Sequence, residues 1–269
     1  PADYVAGVLE ACGRKGIQAA IVISSGFAEE KGDQGGARQR VLGEIAQRYD
    51  MALIGPNAEG FFNSAHDLAA TFSPTVSDLD PRDLPRVADA DGIGVVSQSG
   101  GVGFSFFHRG IPKALPFSFV VTTGNEATLD ALDVADYLVD DVGTGVILMF
   151  IEGVRSPSRL VPIAVKAARQ GKPLILAKVG RSQAATDAVA CHTASLAGSH
   201  QAYGALFRQC GVINGLDSDH MIDVAAGFRY FRDHLPRGHR VGILTPSGGA
   251  GAWFADLCEA NGLEVPVLD

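Results

Sequence analysis

The sequence predicts an α/β fold in which parallel sheets are covered by helices. Apolar runs of strand length alternate with amphipathic helical stretches almost throughout the chain, which is the pattern of a parallel sheet wrapped by helices. Glycine accounts for 33 of the 269 residues, as expected where many strands turn sharply into helices. Hydrophobic residues make up 46% and charged residues 19%, the composition of a soluble domain with a substantial core.

The first segment, residues 1 to about 80, is predicted to form two strands with a helix before each. Its elements are a helix at Tyr4–Lys15, a strand at Ala19–Ser24, a helix at Glu29–Tyr49 and a strand at Ala52–Ile54. The stretch Asp78–Asp91 is dense in Asp, Pro and Arg and is therefore predicted to be a linker.

The second segment, residues 90–235, is predicted to be a complete flavodoxin-like domain, because strands and helices alternate regularly within it. The predicted strands are Ile93–Val96, Phe117–Thr122, Val146–Ile151, Pro173–Lys178 and Val212–Ile213. The predicted helices are Val102–Arg109, Thr128–Val139, Arg159–Arg169, Gln201–Cys210 and Asp217–Phe231. Within the second helix, Asp130, Asp133 and Asp136 are expected to form a solvated face.

The third segment, residues 238–269, is predicted to begin a second domain of the same kind. The stretch Gly94–Gly103 recurs, barely altered, as Gly242–Gly251. Both copies are interpreted as a short buried strand, a Ser-Gly-Gly turn and the start of a helix. Such a turn aims backbone N–H groups and the positive end of the helix dipole at a bound anion, and glycine lets that anion approach closely. Phosphoryl transfer is therefore the first hypothesis for function.

Charge and cysteine content exclude several other classes. The net charge of −8, with no local cluster of Lys or Arg, argues against a nucleic-acid partner. The four cysteines lie far apart in sequence, which indicates reduced thiols in the cytoplasm rather than a disulfide framework or a metal site. No apolar run approaches the ~20 residues of a membrane span, and no signal peptide is predicted from these residues. The ends at Pro1 and Asp269 are those expected of a piece of a longer polypeptide.

Three loops after predicted strands carry the residues expected to do chemistry. The first is the turn that contains Ser97, Ser99, Gly100 and Gly101, the second contains Glu152, and the third is a stretch of small residues around His192. An imidazole acting as a nucleophile needs its other nitrogen hydrogen-bonded, ideally to a carboxylate, which Glu152 could supply. A phosphorylated His192 would carry about two negative charges, which the helix start after Ser99 could compensate.

Two other interpretations of these residues stay open at this stage. Ser97-x-Ser99-x-Gly101 approximates the nucleophile elbow of α/β-hydrolases, and His192 follows it in the hydrolase order. That interpretation places Glu152 in an unusual position for the acid and leaves the second Ser-Gly-Gly copy unexplained. A nicotinamide site is less favoured, because no G-x-G-x-x-G followed by an acidic residue is present.

A series of motifs gives the chain a resemblance to a known family. In chain order they are Ser24-Ser25-Gly26-Phe27-Ala28-Glu29, Gly55-Pro56-Asn57, Ser97-Gln98-Ser99-Gly100, Gly124-Asn125-Glu126-Ala127, Phe150–Arg155, Gly180-Arg181-Ser182, His192–Ser199 and Phe207–Ile213. The series resembles the NDP-forming acyl-CoA synthetases of the ADP-forming acetate–CoA ligase type, which are related to the succinyl-CoA synthetase alpha subunit. The resemblance covers essentially the whole chain.

The resemblance implies a role for each of the candidate residues. His192 matches the phosphorylated histidine of the family, and Glu152 matches the glutamate that holds it. Ser97, Ser99, Gly100 and Gly101 match the phosphate cradle. The residues expected near the acyl group and the CoA thiol are Gly55, Pro56, Asn57, Gly124, Asn125 and Glu126. No metal ligand is expected in this chain.

The implied reaction is reversible: acyl-CoA, phosphate and NDP give a carboxylic acid, CoA and NTP by way of an acyl phosphate and a phosphohistidine. CoA is expected to bind a Rossmann-like domain of which residues 1–80 are the latter half. ATP or ADP and Mg²⁺ are expected to bind mainly an ATP-grasp subunit or domain outside this chain, in an oligomer. Ala58 and Glu59 depart from the Cys and apolar residue usual after Gly-Pro-Asn.

The alternative is a regulatory module that senses CoA or acyl-CoA, as in fused acetyltransferases that resemble the family. Such modules tend to lack the phosphorylatable histidine. Retention of His192 and Glu152 favours the enzyme.

Overall fold

The computed structural model describes residues 1–77, 79–80, 84–87, 91–180 and 200–267. They fall into two units, Pro1–Tyr230 and Phe231–Asp269. No helix among these residues is both long enough and apolar enough to cross a membrane.

The larger unit opens with a small two-stranded parallel sheet. Strands β1 (Ala19–Ile21) and β2 (Ala52–Ile54) pair in register, and helices α1 (Ala2–Arg14) and α2 (Asp33–Arg48) accompany them. Apolar side chains that these elements share, among them Leu9, Phe27, Leu42 and Leu53, are almost completely buried. Strand β2 has the bounds that its apolar run predicted, whereas α2 begins four residues later than expected, at Asp33.

A seven-stranded sheet follows, with the strand order β4-β3-β6-β5-β7-β8-β9. Its parallel strands are β5 (Gly92–Ser97), β6 (Phe117–Thr122), β7 (Thr144–Ile151), β8 (Leu174–Lys178) and β9 (Ile213–Asn214). The two strands of this sheet that come first in the sequence are β3 (Gly60–Asn63) and β4 (Leu68–Thr71), and they form an antiparallel hairpin. Strand β3 also pairs antiparallel with β6. The hairpin was not predicted, and it attaches residues 60–71 to the same sheet as the second predicted segment.

Helices cover both faces of this sheet, because successive strand side chains point to opposite faces. Helices α5 (Ala131–Asp140), α6 (Leu160–Arg169) and α7 (His200–Cys210) pack on one face, the face to which Val96 of β5 points. Helices α4 (Gly100–Gly110) and α8 (Ser218–Tyr230) pack on the other, the face of Val95. A short helix, α3 (Pro74–Ser77), lies before β5. The predicted α/β class with a mostly parallel sheet is thus confirmed.

The start of α5 differs from the expectation of a solvated aspartate face. Asp130 is 7% exposed and is the N-cap of the helix. Its carboxylate accepts hydrogen bonds from the N–H groups of Leu132 and Asp133, both at 2.9 Å, and the Asp133 carboxylate accepts from the Asp130 N–H. Arg159 donates to both carboxylates. Asp130 is buried because it completes this reciprocal cap and an ion pair.

The smaller unit corrects one part of the repeat prediction. Helix α9 (Gly248–Ala260) does follow the second Ser-Gly-Gly turn, but the buried strand expected before it is not formed by the described residues. Among the residues of this unit that the structure describes, one isolated parallel bridge joins Arg240 to Glu264, and Leu244 is fully exposed. A parallel strand is stable only with neighbours on which to pair and pack, and the described part of this unit offers one short extended segment.

Candidate functional site

The carboxyl ends of the parallel strands meet at a cleft of about 390 Å³. Loops that follow β2, β5, β6 and β7 supply most of its walls. Seven of the residues predicted from sequence line it: Asn57, Ser99, Gly100, Gly101, Gly124, Asn125 and Glu152. Ile23, Ala58, Glu59, Phe72 and Gln98 complete the lining.

The predicted phosphate cradle is the turn between β5 and α4. Ser97, which is fully buried, braces it from behind, because its hydroxyl donates to the Ser99 carbonyl at 2.6 Å. Ser99 is the N-cap of α4, yet its side chain makes no capping hydrogen bond to any described residue. Apart from its chain neighbours and the nearby backbone of α4 itself, no described atom lies within 4 Å of where a side chain on Gly101 would sit. At Gly101 the helix start therefore faces the open cleft, and the first N–H groups of a helix have no acceptor within it, as an anion site requires.

The second Ser-Gly-Gly copy is built differently at this one point. Ser247 is the N-cap of α9, and its hydroxyl accepts a hydrogen bond from the Ala250 N–H at 3.3 Å. This helix start is thus partly satisfied by its own side chain, whereas the Ser99 hydroxyl leaves the N–H groups of α4 to another acceptor.

A carboxylate lies against the cradle on the cleft side. A side chain on Gly100 would come within 2.7 Å of Oε2 of Glu59, which is half-buried in the cleft wall. From the sequence Glu59 was noted only as a departure from the family pattern. Its charge is of the same sign as that of phosphate and therefore opposes anion binding at the turn.

Glu152 lies immediately after β7 and reaches the cleft beside the Ser99–Gly101 turn. Its charge acts on Lys178 at the end of β8. Burial lowers the pKa of that ammonium group, and Glu152 opposes the shift. Lys178 itself is 3% exposed and also lies over the ring of Tyr203, 5.5 Å from its centre. The carboxylate predicted at this strand end is thus a member of a partly buried charge cluster.

The turn Gly55-Pro56-Asn57 forms the opposite wall. The Gly55–Pro56 peptide bond is cis, and Gly55 has φ 96°. A side chain at Gly55 would come within 2.4 Å of the Val22 carbonyl oxygen, so only glycine fits. Asn57 has φ 58°, and its N–H donates to the Ser24 carbonyl at 2.9 Å. Asn57 faces the cleft, whereas Gly55 and Pro56 give the turn its shape.

Asn125 connects this turn to the large sheet. Its N–H donates to the Pro56 carbonyl at 2.9 Å, and its side-chain oxygen accepts from the Asn57 amide at 3.3 Å. Its side-chain nitrogen donates to Glu29. Burial raises the pKa of Glu29, but hydrogen bonds from Asn125 and from the Gly26 N–H outweigh it and lower the pKa overall. Asn125 thus fixes the cleft walls relative to each other.

Glu126 lies beneath the cleft rather than in its lining. It is 5% exposed, and its carboxylate accepts from the Thr123 hydroxyl at 2.9 Å and from the Ala131 N–H at 2.8 Å. Burial raises the pKa of Glu126 to about 7, and hydrogen bonds from Gln98, Thr123 and Ala131 limit the rise. Of the residues predicted around this pocket, Glu126 is the one whose side chain is directed into the protein interior.

Gln98 is the residue that sequence reasoning missed. Its side-chain amide joins the loop after β5 to the loop after β7, across more than fifty residues of sequence. A glutamine between two serines carries no local signal for that contact. His192, predicted as the phosphorylated residue, lies outside the described residues.

The comparison with family models decides the classification. The model for the succinyl-CoA ligase like flavodoxin domain matches residues 90–228, which is about half of the chain. The chain belongs to this family. Its resemblance to the ADP-forming acetate–CoA ligase type is confirmed by the relatives that follow.

Two curated relatives and one solved structure are especially similar. The chain is 36% identical over its full length to acetate–CoA ligase [ADP-forming] II subunit alpha of Pyrococcus furiosus, of which it covers 55%. It is 39% identical over 98% of its length to acetate–CoA ligase [ADP-forming] I of Archaeoglobus fulgidus, of which it covers 36%. It superposes with a TM-score of 0.85 and 31% identity on acetyl-coenzyme A synthetase 1 of Ca. Korarchaeum cryptofilum in complex with phosphate and ADP, covering 98% of this chain and 54% of that one. The chain therefore spans about half the length, or less, of these members of the family.

Proposed function

We propose that this chain is the alpha-type portion of an NDP-forming acyl-CoA synthetase. The observation that carries the proposal is the cleft itself, in which the uncapped Ser99–Gly101 helix start and the carboxylate of Glu152 face the same space. The first suits an inorganic phosphate or phosphoryl group, and the second suits the partner of a histidine nucleophile. The names of the relatives support a ligase over a CoA-sensing module.

The proposed reaction begins with phosphate held at the turn. A phosphate oxygen attacks the thioester carbonyl, the C–S bond breaks, and CoA thiolate leaves an acyl phosphate behind. His192 then attacks the phosphorus, the bond between phosphorus and the acyl oxygen breaks, and the carboxylate departs. NDP finally takes the phosphoryl group from His192. A covalent carrier links two sites that cannot overlap.

Glu152 is proposed to act on the imidazole during this sequence. By accepting the N–H of one ring nitrogen it would fix the tautomer and leave the other nitrogen free to attack. As the ring takes the phosphoryl group, the carboxylate would also balance the positive charge that develops on it. Lys178 is close enough to Glu152 for the carboxylate to favour the charged form of the lysine, against the effect of burial.

The rest of the proposed assembly follows from the family. Residues 1–80 would be the latter half of a CoA-binding domain, residues 90–235 the ligase domain, and residues 238–269 the start of a second one. CoA binds partly to this chain, while the nucleotide and Mg²⁺ bind an ATP-grasp subunit or domain in an oligomeric cytoplasmic enzyme. Small carboxylic acids are the proposed substrates, and Ala58 and Glu59 bear on which acyl group is taken.

The experiment is turnover by the whole protein, with the ATP-grasp portion present. ATP formed from acetyl-CoA, phosphate and ADP is measured for the wild type, for Glu152→Gln, and for Glu44→Gln as a matched change at an exposed position of α2. Glu152→Gln should lower kcat by roughly 10²- to 10⁴-fold, the range for loss of a positioned acid–base partner. The Glu44 variant should match the wild type. A Glu152→Gln effect below about threefold would contradict the proposed role.

A further inference from the structure

The side chain of Gln98 is buried between the turn after β5 and the loop after β7. It is 8% exposed, although it directly precedes the Ser99–Gly101 turn, in which Gly101 is exposed. Its own N–H donates to the Phe150 carbonyl at 3.1 Å, near the end of β7. One residue thus has its backbone in the phosphate cradle and its side chain in the loop that carries Glu152.

Three hydrogen bonds join the Gln98 amide to the loop that carries Glu152. Its oxygen accepts from the N–H groups of Glu152, at 2.5 Å, and Gly153, at 3.1 Å. Its nitrogen donates to the Gly153 carbonyl at 2.7 Å. Because the oxygen only accepts and the nitrogen only donates, this set fixes which way the amide is turned. The amide also acts on the Glu126 carboxyl, whose pKa it lowers.

The Glu126 carboxyl, on which the Gln98 amide acts, is itself held in place by hydrogen bonds. The Glu126 carboxylate accepts from Thr123 and from the first turn of α5, and the Glu126 carbonyl accepts from Arg155. The charged groups around it are Asp130 at the same helix start, which raises its pKa further, and Arg155 in the loop after β7. Gln98 is therefore hydrogen-bonded to the Glu152 loop and acts on a carboxyl that is itself fixed at the start of α5.

We propose that Gln98 is a positioning residue that sets the place of Glu152 relative to the phosphate cradle. The inference rests on the proposed function. Gln98 does not touch the reacting groups through its amide; it acts through the backbone of Glu152 and Gly153. Because the same residue forms part of the cradle, a displacement of the turn is transmitted to the carboxylate. The bound phosphate and the Glu152 carboxylate are thereby kept at a fixed distance from each other. This matters because small errors in the position of catalytic groups lower the rate by large factors.

Two substitutions separate this role from simple core packing. Gln98→Leu keeps the bulk but leaves the N–H groups of Glu152 and Gly153 without their acceptor. Gln98→Glu keeps the shape and both acceptor contacts, but when ionised it cannot donate to the Gly153 carbonyl, and it faces the Glu126 carboxylate. The matched controls are the same two changes at Gln170, which is exposed and follows α6 at the opposite end of the strands.

The first measurement is amide hydrogen exchange of Glu152 and Gly153 in the whole protein. In the wild type both amides should be protected, since both donate to Gln98. In Gln98→Leu their exchange should accelerate by more than about tenfold, while that of β7 stays unchanged and the Gln170 variants behave as wild type. Unchanged exchange at Glu152 and Gly153 in a folded Gln98→Leu variant would overturn the proposal. This readout does not depend on turnover.

The second measurement is the kinetics of acetyl-CoA-dependent ATP formation. Gln98→Leu should lower kcat by roughly 10²-fold with little change in KM for ADP, as expected for misplaced catalytic groups. Gln98→Glu should recover part of its kcat as the pH is lowered from about 8 to about 6, because a protonated carboxyl can again donate. If Gln98→Leu does not fold, the pH dependence of kcat in Gln98→Glu still tests the proposal. Wild-type kcat in both variants would overturn the proposal, whereas a wild-type protein without turnover would overturn only the proposed function.

Discussion

Replacing Glu126 by Gln should change how the stability of this protein depends on pH. Burial raises the pKa of the Glu126 carboxyl from its ordinary 4.5 to about 7 in the folded chain. Folding therefore disfavours ionisation of this carboxyl. Its contribution to the free energy of unfolding is fully present below about pH 4.5 and is lost as the pH rises towards about 7. At about 1.4 kcal/mol per pH unit, the loss reaches roughly 3 kcal/mol.

The effect of Glu126→Gln is best followed as a difference between variant and wild type. The introduced amide does not titrate, and its side-chain oxygen can still accept from Thr123 and Ala131. Its amino group meets the Gln98 amide, which adds an offset that does not vary with pH. The free energy of unfolding, measured by urea titration with circular dichroism from about pH 4 to about pH 8, should therefore rise relative to wild type by up to roughly 3 kcal/mol.

The control for this titration is Glu44→Gln on the exposed side of α2, for which the difference from wild type should not vary with pH. A flat difference for Glu126→Gln as well, or one that falls with pH, would refute the account of Glu126 as a carboxyl kept largely neutral by burial.

Two further predictions concern the cleft walls. Gly124→Ala should destabilise the protein by at least about 2 kcal/mol, because Gly124 has φ 58° and a side chain there would come within 2.3 Å of the Pro56 carbonyl oxygen. The control is Gly36→Ala, at an open position of α2, which should leave the stability unchanged or raise it. Equal melting temperatures of the two variants in thermal unfolding would contradict the prediction. Glu59→Gln should lower KM for phosphate about fivefold by removing about 1 kcal/mol of repulsion at the cradle, and an unchanged or higher KM in steady-state kinetics would count against that reading.

The regular part of the fold could be predicted because its signals are local. Strand β6 is a largely apolar run with the predicted bounds, Phe117–Thr122, and α5 was found from its apolar period. Asp130 was misjudged because the same period was applied to a residue that caps the helix. The pattern Asp-x-x-Asp at the helix start was the available signal, since it permits a reciprocal cap.

The remaining features depend on contacts distant in sequence. The β3–β4 hairpin gains its stability by pairing with β6, more than fifty residues later, and its own sequence shows no strong alternation. Ser99, Gly100, Gly101 and Glu152 could be predicted to meet because loops after parallel strands meet at one edge of a sheet, whereas Asn57, Gly124 and Asn125 were expected beside them only from the family resemblance. The contact of Gln98 with Glu152 and Gly153, and the burial of Glu126, arise only when the sheet is assembled.

The most direct test of the central claim is the identification of the phosphorylated residue. The whole protein is incubated with labelled ATP and Mg²⁺, and the label is located by peptide mapping under basic conditions, where phosphohistidine is preserved. The account predicts label that is labile to acid and stable to base, on the peptide containing His192, and none in His192→Asn. Undiminished label in His192→Asn, or label on another residue of the wild type, would contradict it.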